Sequence, residues 1–172
     1  MASERIYEWD VAREGDESPP FVFEVTRDTI ADYCKAIRLE NPVYLDEDAA
    51  RAAGFPGIVA PPTMCYTYAP MRRVDLIAAR GCVAPEQAHE RPRSTPFVSS
   101  AIAFLGALVR PGDVISSTTR VLEKWERRGN RFITFLITAR NQRGEPVVEY
   151  TYACIWEYAK GRNVRDDVAR SP

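Results

Sequence analysis

At 172 residues, 45% of them apolar, the chain has material for one well-buried domain and too little for two ordinary ones. Its 23 basic and 24 acidic side chains nearly cancel, so no charge-driven attraction to nucleic acid or an anionic membrane surface is implied. No apolar run approaches the roughly 18 residues of a membrane span, and the single histidine, His89, leaves little material for a zinc site or a histidine-based triad.

The first residues lack an apolar core of the kind a secretion signal carries, and the four cysteines (Cys34, Cys65, Cys82, Cys154) are scattered through apolar contexts without a CxxC pair. Free, buried thiols and a cytoplasmic location are therefore expected, with no metal and no cofactor.

In chain order, residues 1–19 read as an extended arm followed by a loop. Residues 21–25 read as a short strand, and Thr26 is placed to cap a helix over residues 27–38. Ile30, Tyr33, Cys34 and Ile37 form that helix's apolar stripe. It stops before Pro42, because a proline pushes the preceding residue out of helical geometry. Asp46 caps a second helix over residues 47–53, closed by Gly54.

Pro61 and Pro62 suit the first turn of a further, long helix that carries Met64, Cys65, Tyr68, Met71, Leu76 and Ile77. Pro70 kinks or breaks this helix, and Gly81 ends it. Residues 82–95 read as an exposed loop, long enough to be mobile or to cover a site.

From residue 97 the pattern is strands: 97–109, 114–126, 131–140 and 146–158, separated by glycine-containing turns. The segment 159–172 is a charged tail. The fold class is α+β with one antiparallel sheet.

Three segments carry a more specific likeness: Asn41-Pro42-Val43-Tyr44-Leu45-Asp46, Gly57-Ile58-Val59-Ala60-Pro61-Pro62-Thr63, and Arg110-Pro111-Gly112-Asp113 with Asn141-Gln142-Arg143-Gly144-Glu145. In this order and spacing the chain resembles the MaoC-like (R)-specific enoyl-thioester hydratases and dehydratases, and within them the N-terminal-type dehydratase branch. The resemblance covers residues 20–158. It implies a single hotdog domain, a curved antiparallel sheet wrapped around a long central helix, acting on an acyl thioester of coenzyme A or a carrier protein.

In catalytic members of that family the first motif reads Asp-x-Asn-Pro-x-His, and its carboxylate and imidazole share the proton transfers. By the resemblance, Leu39 stands at the aspartate position and Tyr44 at the histidine position. Leucine transfers no proton, and a tyrosine with a pKa of about 10 is a poor base at neutral pH. The second motif carries a His-Gly pair whose glycine N–H donates to the thioester oxygen. Here the pair becomes Pro61-Pro62, and proline has no N–H.

No catalytic set is intact, so the resemblance implies a substrate-shaping half that pairs with a catalytic hotdog partner. Two alternatives stand beside it. One is a self-sufficient enzyme using Tyr44, Glu40 or Asp46; the other is a non-enzymatic homodimer that binds an acyl ligand.

Asn41, Tyr44, Ala60, Pro61, Thr63, Met64 and Tyr68 are the candidate substrate-binding residues. Several have a plainer role: Tyr44 closes a turn, Thr63 caps a helix, and Met64 and Tyr68 pack in a core; Asp46, likewise, caps a helix. Cys65 reads as packing before nucleophile and His89 as a loop residue, while Arg72, Arg73 and Arg110 are candidates for thioester-carrier phosphates.

Overall fold

In the computed structural model, residues 4–159 are described. The charged tail predicted over 159–172 lies, apart from its first residue, outside them. Strand β1 (Phe21–Glu24) leads into α1 (Arg27–Ala36), and α2 spans Glu47–Ala52. Two short helices follow, α3 (Cys65–Tyr68) and α4 (Arg73–Ala79). Then come β2 (Phe97–Ser99), β3 (Ile102–Phe104), β4 (Val114–Arg127), β5 (Asn130–Asn141) and β6 (Pro146–Glu157). The strands form one antiparallel sheet in the order β1-β4-β5-β6-β2, with β3 also on the outer side of β6. A hotdog is this arrangement: a long meander curving around helices from the first half of the chain.

The helix starts are local chemistry. Thr26 accepts from the Thr29 amide, and the Thr29 hydroxyl accepts from the Thr26 amide in return, closing a capping box on α1. Asp46 accepts from the Ala49 amide at 2.8 Å and caps α2. The hairpin between β4 and β5 turns through Arg128 and Gly129, both at positive φ, as a two-residue turn matched to strand twist requires.

The long central helix is not continuous. A 3₁₀ turn over Pro62–Met64 runs into α3, the chain leaves helical geometry at Ala69, and α4 starts only after Arg72. Pro70 sets the break, since it supplies no N–H and restricts the residue before it. The sheet takes up the freed groups: the Arg72 amide donates to Thr119 Oγ1 at 2.8 Å, and the Ala69 carbonyl accepts from the Tyr150 hydroxyl at 2.7 Å.

The strand expected over 97–109 is likewise divided. β2 and β3 are separated at Ser100-Ala101, the register against β6 shifts between Phe97 and Ser99, and Gly106 at φ +95° follows the last paired residues.

The core lies between the helices and the concave face of the sheet. Ile115 and Val121 of β4, Ile133, Phe135 and Ile137 of β5, and Val148, Tyr150 and Trp156 of β6 meet Ile30, Met64, Leu76 and Ile77 there. Tyr7 joins them: it is fully buried, its hydroxyl donates to Asp16 at 2.6 Å, and its carbonyl accepts from Trp156 Nε1 at 2.8 Å.

The loop over 82–95 departs from its expected exposure. Cys82, Ala84, Pro85, Ala88 and Thr95 are buried. Val83 bridges Ile6 through backbone bonds, and Arg73 reaches Thr95 and Glu86. A segment with that many internal partners is part of the packing. All four cysteines are buried free thiols. No helix among the described residues is long and apolar enough to cross a membrane.

Candidate active site

The first motif forms a tight 3₁₀ turn over Pro42–Tyr44. Asn41 is its cap, accepting the Val43 amide at 3.1 Å, and is exposed. Leu39 and Tyr44 are half-buried and pack against the core cluster. Leu39 also lines a surface hollow with Glu40, Leu45 and Cys34 that shares no lining residue with the cavity beside the second motif. Asp46 is occupied as the α2 cap, and Glu40 is exposed.

The second motif pairs with the segment after β3, where the Ala60 amide donates to the Val109 carbonyl at 2.8 Å. Beside that bond lies an apolar cavity of about 210 Å³. Ala60, Pro62 and Tyr68 form one wall; Phe104, Leu108, Val109 and Val147 form the other. The remaining candidates fall outside it. Pro61 is buried, and Met64 is wholly buried and fills core rather than cavity. Thr63 does not cap the helix: the cap position is Pro61, which makes no side-chain bond, and the Thr63 hydroxyl pairs with Tyr33 at 2.9 Å.

Among the described residues, Tyr68 is the only titratable side chain on the cavity wall. Desolvation, and secondarily the neighbouring Cys65, push its hydroxyl above the usual tyrosine range, so it is neutral at physiological pH. Burial also raises the Cys65 thiol, and a protonated thiol is no nucleophile. His89 is exposed, with its amide donating to Glu4 at 2.8 Å.

Sequence reasoning missed the far wall. Phe104, Leu108 and Val109 sat in what read as one continuous strand, and Val147 in another. The available signal was Gly106, a glycine inside an apolar run, which marks a bend.

A second cavity, of about 430 Å³ and polar, lies beside the third motif. Arg27, Glu47, Arg110, Asp113, Gln142 and Arg143 line it. Asp113 is buried and holds the turn: it accepts the Arg110 amide at 2.9 Å on one oxygen, and Gln142 at 3.1 Å and Arg143 at 3.4 Å on the other. Gly57, also in the lining, has φ +153°, a backbone conformation that strains any side chain, and a Cβ there would displace the Glu47 carboxylate, whose Oε2 would lie at 2.7 Å.

A single antiparallel meander around a broken central helical segment, with a cavity at the head of that segment, defines the hotdog class of fold. The comparisons agree: residues 12–150 match the family described as "FAS1-like, dehydratase domain region", and the chain belongs to that family.

A UPF0336 protein of Saccharopolyspora erythraea is 29% identical over 144 residues, 77% of this chain and 81% of that protein. A probable enoyl-CoA hydratase alpha subunit of Thermomonospora curvata is 38% identical over 133 residues, 69% of this chain but only 40% of that subunit.

Among solved structures, the ChsH1–ChsH2 complex of Mycobacterium tuberculosis aligns with a TM-score of 0.65 at 22% identity, over 85% of this chain and 86% of that one. The HadBC (3R-hydroxyacyl-ACP dehydratase) complex of the same organism aligns with a TM-score of 0.63 at 19% identity, over 84% and 97%. These likenesses establish the fold.

Proposed function

We propose that this chain is the substrate-shaping, non-catalytic half of an acyl-thioester hydratase/dehydratase, and that a second hotdog chain supplies the acid, base and oxyanion donor. The observation that carries this reading is the composition of the cavity wall. It offers apolar surface and one neutral tyrosine, with a proline where the family places its donating glycine. Leu39 and Tyr44 pack against the core instead of facing that cavity.

Size supports a partner. About 210 Å³ is below the roughly 300–1,000 Å³ that small-molecule sites occupy. Phe97, Val98, Ile102, Phe104, Leu105 and Leu108 stand exposed along the β2–β3 edge, next to the open side of the cavity. An unpaired apolar edge of that kind fits a second sheet. Two of the structural neighbours are themselves hotdog heterocomplexes.

The test is to purify the chain alone and with a hotdog protein encoded beside it, and to follow hydration of a 2-enoyl-CoA. Activity is expected only for the pair. Robust turnover by the chain alone overturns the proposal, and so does a partner whose activity is unchanged when this chain is removed.

A further inference from the structure

Three arginines are candidates for binding the anionic end of a thioester carrier, and the structure separates them. Arg72 pairs with Asp75, and its guanidinium lies over the Phe21 ring at 5.2 Å. Arg73 is largely buried, held by Glu86 at 2.8 Å and Thr95 at 2.7 Å. Arg110 is uncommitted: among the described residues its guanidinium makes no hydrogen bond and no ion pair.

Arg110 lines the polar cavity, whose other charges answer one another. Arg27 pairs with Glu47, and Arg143 with Asp113 and Glu145. Both Asp113 oxygens are occupied by the turn. Glu145 is close enough for the Arg110 charge to help lower its pKa, but Asn141 and Arg143 hold that carboxylate first. The cavity therefore keeps one positive charge without a partner, flanked by two further guanidinium groups.

The two cavities are neighbours on the same pair of segments. Ala60 and Val109 wall the apolar one and are joined by the ladder bond; Ile58 and Arg110, two residues before and one residue after, wall the polar one. A ligand that is apolar at one end and anionic at the other matches both.

We propose that the Arg110 cavity binds the phosphate at the far end of a pantetheine arm whose acyl group occupies the apolar cavity. This rests on the acyl-thioester reading above. Phosphate is chosen because a guanidinium fork matches its oxygens and neighbouring arginines add to the field. The same group occurs in coenzyme A and on a carrier protein.

The experiment titrates the full chain, paired with its hotdog partner, against octenoyl-CoA, octenoyl-4′-phosphopantetheine and octenoyl-pantetheine in a calorimeter. The two phosphorylated probes are expected to bind roughly tenfold more tightly than the third, the strength of a charge-assisted contact. Arg110→Gln removes that difference and leaves octenoyl-pantetheine binding unchanged, Arg110→Lys keeps part of it, and Arg72→Gln changes none of the three. A further gain for octenoyl-CoA over octenoyl-phosphopantetheine supports the site with free coenzyme A as the source; equal binding supports it with a single phosphate as sufficient. Equal affinity with and without phosphate, or a preference that survives Arg110→Gln, overturns the site and leaves the functional reading standing. Failure of all three probes to bind overturns that reading and the site with it.

Discussion

The Tyr150 hydroxyl donates to the Ala69 carbonyl at 2.7 Å, joining β6 to the break in the central helical segment across 81 residues of chain. Tyr150 is itself buried, so desolvation raises its pKa and the hydroxyl stays a donor. Tyr150→Phe removes the donor and leaves a buried carbonyl unpaired. The expected loss is about 1–3 kcal/mol in urea denaturation, with the slope unchanged.

Tyr7 ties the N-terminal arm into the core through Asp16 and Trp156. Tyr7→Ala is expected to cost about 3–5 kcal/mol, a large share of a domain's stability. A truncation to residues 20–158 also deletes the buried Ala12 and Asp16, and its circular-dichroism melt is expected to lose cooperativity. An unchanged melt would mark residue 20 as the start of the folding unit.

Ala60 lines the apolar cavity together with Phe104 and Leu108. Ala60→Trp fills that space. In the proposed complex with a hotdog partner, kcat/KM for octenoyl-CoA is expected to fall about tenfold or more, while crotonyl-CoA is affected less. Melting temperatures of the two complexes should agree.

Pro62→Gly restores an N–H where the family places an oxyanion donor. Such a donor alone is worth roughly 10²–10³-fold, but only where proton transfer is available. The isolated variant is expected to show no hydration above background, and the heterocomplex a change of less than about twofold. Turnover by the isolated Pro62→Gly chain would mean that a proton-transfer group lies within reach after all.

Burial pushes the Cys154 thiol up to about 12 from an ordinary value near 9.0; the Arg73 charge opposes this and Glu86 adds to it. The folded state holds its proton where the unfolded state has released it. The stabilisation is therefore complete below about pH 9 and is lost as pH rises toward 12, by about 2 kcal/mol between pH 9 and 10.5. Urea denaturation at pH 8 and 10.5 measures the drop, and Cys154→Ala should reduce it.

What was legible in the sequence was local. Thr26 and Asp46 announced their helices because a cap needs only a side chain and an amide three residues on. Alternation alone puts Ile133, Phe135 and Ile137 on one face of β5, since a strand's period does not depend on its neighbours; the structure makes that face a fully buried one. The three motifs led to the family by their order.

The opposite face of β5 was less legible: Phe132 and Thr134 are buried as well, because the Trp125 ring stacks on Phe132 at 3.9 Å and covers it. Pro70 announced a break in the central helix, but what makes the break tolerable is Thr119 and Tyr150, which reach it from distant strands.

Ala60 and Tyr68 were named from the chain alone as candidates, and Pro62 as the residue at the position where the resemblance places a donor. That Phe104, Leu108 and Val147 face them, and that Arg110 is left unpaired while Arg72 and Arg73 are not, was decided only by the tertiary structure. Caps and periods are set by residues within a few positions of one another, whereas a cavity and the partner of a charge depend on which strands the fold brings side by side.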